Sequence, residues 1–528
     1  MPSIVFDDWA GGLDLRRSVS MSAANVLFLL KNCYITTGKA IKKRPCIIIV
    51  TTLEAGTVGL KAAGGKLNTF YGEGAQIIHS NPLFRSNRVP NHITSEAPIK
   101  IHYAENFNGF LYVSAGYASA VQPASHHYLD DATDAWEPST AYAFGVFVRP
   151  RVPNGFRYQV NGLSGTGTSG ASDPAWGLIV GDNTIDNPGA NQISWRCQTY
   201  VANNGNCPHS KQVKKIGQKI YAASGSDVRF CATAAPKDWE TADDAGFIPS
   251  GINAAGSDTV TALGDYRGKL GIFYADSTQL WKVDPDPALN ELVSNAENIG
   301  TLHYDTPRAF ANDLVFLSKM GFRSVTLSVL SDDIQENDIG SPIDKLRSEI
   351  ADGDEPHSIY FPRLGQLWIV NGSRVYVITY SKSNKITAWS VYDFPVEFSD
   401  VTVLDNEVYG RSGNDVYRFD QTIFNDDGEI PLCEVEMFFQ DGKLPGHLKM
   451  FIGLDTAVIG TSSIAFRYDP RNTNLMTAFV PLSSDTRPDA LAPMEISAVA
   501  IAPVVRHQLD EDFQLDLLQC YFEKLGPI

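Results

Sequence analysis

The sequence lacks the features of a disulfide-bonded, zinc-binding or membrane protein. It has no Cys-x-x-Cys pair, and its seven cysteines are an odd number, so neither a zinc knuckle nor a disulfide framework is signalled. We expect reduced thiols in a protein made in a cytoplasm. The longest aliphatic run, residues 47–50, is too short to cross a bilayer, and residues 1–8 show no secretion signal.

Positive charge is also scarce. The chain has 43 Lys and Arg against 60 Asp and Glu, which gives a formal net charge of −17. A protein that binds DNA phosphates tightly by counterion release needs a positive surface. We therefore expect weak or repulsive contact with nucleic acid.

Three catalytic motifs are absent: Gly-x-Ser-x-Gly, His-Glu-x-x-His and Gly-x-x-x-x-Gly-Lys-Ser/Thr. The pair His126 and His127, beside Asp130 and Asp131, predicts a polar loop rather than a metal site. We expect no catalytic residue, no metal and no cofactor. A carbohydrate-active enzyme stays open as an alternative, because a glycosidase needs only two suitably placed carboxylates.

What the chain does contain is a repeat. Its 43 Gly and 29 Pro favour many short strands joined by tight turns. The repeating unit is a strand rich in β-branched and aromatic residues, a turn of Gly, Asn, Ser or Asp, and a second strand. Seven candidate copies begin at Leu67, Leu111, Ile220, Leu270, Leu314, Leu367 and Val408. The last five copies begin 41 to 53 residues apart. This spacing suits a four-stranded propeller blade of about 40–50 residues.

An insertion interrupts the repeat, since the copies at Leu111 and Ile220 are 109 residues apart and removing residues 134–200 leaves 42. We therefore predict an all-β fold: a β-propeller of about six to eight blades, a small inserted β-module and a C-terminal β-sandwich-like domain. The predicted units are 1–133 (N-terminal segment and first blades), 134–200 (inserted module), 201–425 (remaining blades) and 426–528 (C-terminal domain). An array of β-sandwiches is the structural alternative.

The insertion carries aromatic residues at defined spacings, among them an Asn-Gly-Phe-Arg-Tyr stretch at 154–158 and Asp-Pro-Ala-Trp at 173–176. The series resembles the small carbohydrate-binding modules of chitinases and phage tail proteins. That resemblance implies sugar stacking on exposed rings, and the candidates are Trp136, Tyr142, Tyr158, Trp176 and Trp195. Alternatively, most of these rings form the core of a module too small to fold without large side chains.

Short motifs near both ends of the chain follow a recognisable order. Phe6 is followed by Gly11 and Gly12, then by an Asn-containing stretch at 32–38 and by Lys-Lys-Arg-Pro at 42–45. Near the other end, a Gly-Lys-Leu-Pro-Gly-His-Leu-Lys stretch at 442–449 precedes a strand. This order resembles the tail nozzle proteins of short-tailed bacteriophages, also called tail tubular or packaged-DNA stabilisation proteins. Cys46 stands where the family pattern has Gly.

The resemblance implies a structural virion protein of the tail, synthesised in the host cytoplasm, and not an enzyme. Its copies would form a homo-oligomeric ring, a hexamer, that extends the portal and adaptor proteins and meets tail fibre or spike proteins. Packaged double-stranded DNA would be retained and would then pass through without tight binding, which suits the acidic balance. The inserted module would adsorb to host surface glycan.

The basic clusters at 42–44 and 211–215 predict solvated faces or subunit contacts rather than DNA-binding sites. A receptor-binding propeller outside any phage remains a second alternative function. Ring formation separates the two, because a nozzle must close into a cyclic assembly.

Overall fold

The structure is a computed structural model that describes residues 2–18, 22–72, 79, 81–89, 96–130, 133–154, 156–198, 206–254, 259–326, 338–482 and 491–527. Strands make up 52% of the chain and helices 4%, which confirms the predicted all-β class. The described helices are short 3-10 turns at Ser250–Asn253, Pro287–Leu289, Ser341–Glu349 and Pro362–Leu364.

Six strands lie in the first 52 residues, and most of their pairing partners lie far away in the sequence. They are β1 (Ser3–Phe6), β2 (Gly12–Leu13), β3 (Val26–Lys31), β4 (Cys33–Ile35), β5 (Ile41–Lys43) and β6 (Cys46–Thr52).

Two small sheets precede the insertion. Sheet 1 contains β7 (Thr57–Ala63), β8 (Lys66–Tyr71) and β9 (Phe84–Arg88), and sheet 2 contains β10 (Pro98–Phe107), β11 (Phe110–Tyr117) and β12 (Ala124–Asp130). The module then forms its own sheet, ordered β13-β14-β16-β15, from β13 (Phe147–Val148), β14 (Arg157–Leu163), β15 (Asn183–Asp186) and β16 (Ile193–Gln198).

Three more sheets follow the module, each an antiparallel meander of consecutive strands. Sheet 3 contains β17 (Val213–Ile216), β18 (Lys219–Ser224), β19 (Asp227–Phe230) and β20 (Gly246–Ile248). Sheet 4 contains β21 (Ala262–Tyr266), β22 (Lys269–Phe273), β23 (Ser277–Lys282) and β24 (Glu291–Glu297). Sheet 5 contains β25 (Arg308–Phe310), β26 (Asp313–Ser318) and β27 (Gly321–Ser324).

The last two sheets draw on the N-terminal strands. Sheet 6 contains β28 (His357–Phe361), β29 (Gln366–Asn371), β30 (Arg374–Ser381) and β31 (Ile386–Asp393). Sheet 7 contains β32 (Asp400–Leu404), β33 (Glu407–Ser412) and β34 (Asp415–Asp420). The fourth strand of sheet 7 is β6, which pairs antiparallel with β34.

The seven sheets pack in a circular, propeller-like order, because apolar clusters join each sheet to the next. Phe273 of sheet 4, for example, shares a cluster with Phe316 of sheet 5. The circle closes where Leu60 of sheet 1 packs with Val416 of sheet 7. The first strands of all seven sheets contribute residues to the wall of one central cavity of about 490 Å³.

The remaining strands form a two-layered unit, here called the C-terminal unit. They are β35 (Cys433–Met437), β36 (His447–Ile459), β37 (Ser462–Arg467), β38 (Val480–Leu482), β39 (Ala492–Ala498), β40 (Ala502–His507) and β41 (Gln514–Pro527). One layer has the order β39-β36-β41-β5-β4, with β1 also on β41. The other layer continues from sheet 6 through β2, β3, β35, β40, β37 and β38. Phe451 and Val505, from the two layers, share one core.

Each of the seven predicted repeat copies begins in the second strand of one of the seven sheets: β8, β11, β18, β22, β26, β29 and β33. The N-terminal segment is divided between distant parts of the fold. Strands β1 to β5 pair in the C-terminal unit, where β2 and β3 also meet β31 of sheet 6, and β6 completes sheet 7. Hydrogen bonds between strands hundreds of residues apart leave no local sequence pattern.

Candidate functional site

The basic motif at 42–45 lies inside the protein, where β5 passes into β6. Arg44 is 2% exposed, and its guanidinium donates two hydrogen bonds to the carboxylate of Asp426, at 2.9 and 2.5 Å. It also donates to the Asp393 carbonyl at the end of β31 and to Oδ1 of Asn32, both at 2.9 Å. Arg44 therefore joins the C-terminal unit to sheets 6 and 7.

The residues on either side of Arg44 are also integrated into the fold. Lys43 is buried, and its Nζ donates to the Leu509 carbonyl at 2.8 Å. Lys42 is half-buried and lies 3.4 Å from the Asp512 carboxylate. The predicted solvated face is thus wrong for Lys43 and Arg44. Cys46 is buried and begins the extended strand β6.

The glycine pair near the N-terminus lies against sheet 6. Gly12 pairs in parallel with Trp389 and has a φ of +59°, a conformation that favours glycine. A Cβ at Gly12 would lie 2.7 Å from the Cα of Ala388. A side chain at residue 12 would therefore collide with β31, and glycine allows the backbones of β2 and β31 to pack closely.

The motif at 442–449 forms a turn tied by one buried lysine. The Nζ of Lys449 donates to the carbonyls of Leu444 at 2.9 Å, His447 at 3.1 Å and Val499 at 2.7 Å. Gly442, with a φ of +60°, lies against Phe522 of β41. This turn leads into β36 and packs against β41, the last strand of the chain.

The five aromatic candidates of the inserted module cluster together, but inside it. Trp136, Tyr158 and Trp195 are 0% exposed and Trp176 is 7% exposed, while Tyr142 packs on the same cluster and keeps more surface. Stacking on a sugar requires an exposed ring face. The sugar-stacking prediction therefore does not hold for Trp136, Tyr158 and Trp195, whose rings form the module core.

One buried carboxylate organises this core. Oδ2 of Asp186 accepts hydrogen bonds from Nε1 of Trp136 at 2.8 Å and from Nε1 of Trp195 at 3.1 Å. Oδ1 of the same residue accepts from the backbone N–H of Gly170 at 2.9 Å. Asp186 is 2% exposed, so these donors replace the water that its charge would otherwise need.

The large apolar residues on the surface of the module are not the predicted ones. Phe144 is 70% exposed, Ile179 69% and Val180 56%. The sequence-based prediction considered Trp and Tyr and did not include these three residues. The signal available in the sequence was an aliphatic run directly before a Gly-Asp turn at 181–182, where a polar loop is expected.

His126 and His127 lie on β12, a buried strand, so the predicted polar loop is wrong. The His126 ring stacks on His209 with ring centroids 4.8 Å apart, and Nε2 of His127 lies 2.6 Å from the Tyr117 hydroxyl. Burial, reinforced by His209, lowers the pKa of His126 to about 3, so this ring is neutral at physiological pH. Over the described ranges, no group of three or more His, Cys, Asp or Glu side chains could hold a metal ion.

The central cavity has the opposite charge balance to the chain as a whole. Five cationic side chains and three carboxylates line it, whereas the whole protein has a net charge of −17. The cations are Lys61, Lys211, Lys214, Lys215 and Arg308, and the carboxylates are Glu105, Asp265 and Asp305. Lys211, Lys214 and Lys215, from the basic cluster at 211–215, are half-buried and line this cavity.

Hydrogen bonds and ion pairs among charged side chains surround the cavity, and two of the ion pairs link neighbouring sheets. Oδ2 of Asp305 lies 2.9 Å from Nδ1 of His357. Burial opposes ionisation of Asp305, but the hydrogen bond with His357 and the nearby cations hold its pKa well below the usual range. The carboxyl of Asp305 therefore favours its ionised form at neutral pH. Three looser pairs join Lys61 with Asp400 at 3.5 Å, Arg308 with Asp305 at 3.5 Å and Lys215 with Glu105 at 3.8 Å.

A second cavity of about 630 Å³ shares His102 and Lys211 with the central one. Between them, the Glu355 carboxylate accepts from Lys100 at 2.6 Å and from Lys211 at 3.2 Å. Burial works against ionisation here, but the two lysines lower the pKa of Glu355 to about 2. Nδ1 of His102 lies 3.1 Å from the Tyr304 hydroxyl. These side chains divide the two cavities.

All seven cysteines are free and buried. Burial raises the pKa of Cys46 to about 12 and that of Cys231 to about 11, which keeps both thiols protonated and unreactive. Within the described ranges, every helix is too short or too polar to cross a membrane.

No family model matches the chain, and no curated protein matches it either. Among solved structures, a chain of a mitotic checkpoint complex aligns at 9% identity with a TM-score of 0.29, covering 79% of this chain and 93% of that chain. A putative 6-phosphogluconolactonase from Bacteroides uniformis aligns at 11% identity with a TM-score of 0.27, covering 62% and 92%. Hsv2 from Kluyveromyces lactis aligns at 8% identity with a TM-score of 0.24, covering 56% and 97%. At these scores the similarities assign neither a family nor a function to this chain.

Proposed function

We propose that this chain is a subunit of the ring-shaped tail nozzle of a short-tailed bacteriophage, a virion protein that retains packaged DNA and guides its exit. The supporting observation is the location of the family-like motifs. Gly12, Arg44 and the 442–449 turn all join strands from distant parts of the chain, in or beside the C-terminal unit. Gly12 and Arg44 lie where the C-terminal unit meets sheets 6 and 7, and the 442–449 turn lies within that unit. Fixed contacts between two β-units suit the wall of a tube.

In this proposal the circular part is a seven-bladed β-propeller and the C-terminal unit is a β-sandwich. Support comes from β6, a strand from near the start of the chain that completes sheet 7 beside β34. A blade whose strands come from both ends of the circular part stabilises the closed propeller, because the circle can open only if the hydrogen bonds between β6 and β34 break.

A DNA path in the proposed nozzle would run between copies and not through one chain. The central cavity measures about 490 Å³ and ion pairs link the strands around it. Duplex DNA is far wider, since its major groove alone is about 12 Å across. A hexameric ring with heterologous, closing contacts would provide an axial channel, and the net charge of −17 disfavours tight DNA contact there.

The inserted module would serve adsorption to host surface glycan. Its backbone contacts sheet 1, where the Arg88 N–H donates to the Pro153 carbonyl at 2.9 Å. With Trp136, Tyr158 and Trp195 in the core and Trp176 only 7% exposed, Tyr142 is the candidate ring with surface available for a sugar. The ring would dock on portal and adaptor proteins and carry tail fibre or spike proteins in the virion.

The decisive experiment is the assembly state of the full-length chain, measured by light scattering and negative-stain electron microscopy, alone and with the portal and adaptor assembly. We expect a closed ring with an axial channel. A monomer under both conditions would overturn the proposal. Separately, a glycan array probed with the full-length protein tests adsorption, and the absence of any signal would remove that part alone.

A further inference from the structure

Lys214, on β17, differs from the other cations of the central cavity. Lys214 is half-buried, and its side chain lines the cavity. No hydrogen bond or ion pair reaches its ammonium group from the part of the chain that the structure describes. A half-buried ammonium without a protein partner is partly desolvated and keeps its hydrogen-bond donors available to an anion in the cavity.

The other four lining cations each have a carboxylate partner. Lys61 pairs with Asp400, Lys211 with Glu355, Lys215 with Glu105 and Arg308 with Asp305. Among the five cations that line the cavity, Lys214 is thus the one without a carboxylate partner in the described part of the chain.

The carboxylates nearest to Lys214 are all bonded elsewhere. Asp305 bonds His357, Glu105 accepts from the Tyr103 hydroxyl at 3.4 Å, and Asp265 accepts from the Gly268 N–H at 2.8 Å. Their charges still act on Lys214 through space, as does the like charge of Arg308. The two cations Lys214 and Arg308 therefore stand within electrostatic reach of each other on one cavity wall.

We propose that the central cavity binds a small anion of phosphate chemistry, with Lys214 and Arg308 as its cationic contacts. The volume of about 490 Å³ lies within the range of small-molecule sites, about 300–1,000 Å³. A phosphate group accepts hydrogen bonds from an ammonium and from a guanidinium together, and would supply the missing partner of Lys214. This inference concerns the interior of one chain and does not rest on the nozzle assignment.

The site has a pH dependence with a definite sign. Burial, helped by the neighbouring charge of Arg308, lowers the pKa of Lys214 to about 8, while Asp305, Asp265 and Glu105 oppose that shift. Lys214 is therefore mostly an ammonium near pH 7 and mostly an amine above about pH 9. Phosphate gains negative charge over the same pH interval, which by itself would strengthen binding to a cation. Weaker binding at high pH would therefore reflect the loss of charge on the protein.

Calorimetric titration of the full-length protein with inorganic phosphate, against sodium chloride at matched ionic strength, tests the proposal. We expect saturable binding near pH 7 that weakens about tenfold or more in Lys214→Met, while Lys282→Met, at an exposed strand position, binds as the wild type does. The wild type at about pH 9.5 should show the same loss, which needs no variant to fold.

Adenosine monophosphate as a second probe distinguishes a free phosphate from one carried by a nucleotide. Binding of either probe that depends on Lys214 supports the site. The probe that binds more tightly shows whether the site prefers free phosphate or the phosphate of a nucleotide. Equal binding to wild type and Lys214→Met, undiminished binding at high pH, or no saturation with either probe would overturn the proposal.

Discussion

Arg44 and Asp426 lie 382 positions apart in the sequence and form a bidentate ion pair whose side chains are 0% and 2% exposed. Oδ1 of Asp426 also accepts the backbone N–H of Ile47 at 3.1 Å, in the strand that completes sheet 7. The pair therefore sets where β6 begins as well as how the two β-units meet.

Replacing Arg44 with Met should destabilise the protein strongly, because Asp426 would keep a buried charge without its partner. Breaking a buried ion pair from one side costs about 3–5 kcal/mol. Thermal unfolding followed by circular dichroism measures the effect.

The control for this change is Arg418→Met on β34, the strand that pairs with β6. Arg418 pairs with Asp420 at 2.6 Å but is 39% exposed, so we expect a loss of about 0–1 kcal/mol. Similar losses in the two variants would show that the buried pair has no special role at the junction.

Gly12→Ala should cost far more than Gly413→Ala, although both glycines have nearly the same φ, +59° and +57°. A Cβ at Gly12 would lie 2.7 Å from backbone of Ala388, whereas one at Gly413 meets nothing within 4 Å. We expect roughly 1 kcal/mol at Gly413 from the left-handed conformation alone. Chemical denaturation of both variants checks the difference, and equal losses would contradict the close approach of β2 to β31.

Asp186→Asn should destabilise the inserted module selectively. An amide offers only one oxygen, and its NH2 group would face an N–H donor in a site where Trp136, Trp195 and Gly170 all donate. The expected loss is about 1–3 kcal/mol. Limited proteolysis within 134–198 measures it.

Asp182→Asn is the matched control for this module, because Asp182 is exposed on the same unit. It should leave the proteolysis rate unchanged. An Asp186→Asn variant that resists protease as the wild type does would show that the shared carboxylate is dispensable.

Glu355→Gln should flatten part of the acid unfolding profile. The folded pKa of Glu355 is lowered to about 2, below its value in the unfolded chain, despite burial and because of Lys100 and Lys211. Its contribution is therefore present above about pH 4.5 and is lost as the pH falls towards 2. The melting temperature of the variant should fall less steeply over this interval than that of the wild type.

The exposed Glu397 provides the control for the acid profile, and Glu397→Gln should follow the wild-type curve. A Glu355→Gln curve parallel to the wild type throughout would show that the bridge between Lys100 and Lys211 does not stabilise the fold.

The repeating sheets could be predicted from the sequence because their signal is local. Leu270 and Val408 each lie near the start of a strand whose pairing partners are one turn away in the sequence. The alternation of apolar strands and turns is therefore visible within a short window. The insertion was visible for the same reason, as an interruption of the spacing.

What could not be predicted depends on contacts over long distances. Gly12 meets Ala388, and Arg44 meets Asp426, only after the chain has folded, so the residues look like an ordinary turn and a basic surface cluster. Lys214 was missed for a related reason. Seven strands contribute to the cavity that it lines, and nothing within 211–215 distinguishes a lysine in a cavity from one on the outer surface.

The completion of sheet 7 by β6 has a consequence for synthesis. Thr52 pairs with Asp415, so β6 leaves the ribosome long before its partner strand exists. At about 5–20 residues per second, the apolar run at 47–50 waits roughly 20–70 s for that partner. During this interval it is a β-prone segment without a sheet, the kind that pairs with other chains. The yield of folded protein should therefore depend on how fast the cell translates the chain and on how well chaperones shield the first fifty residues.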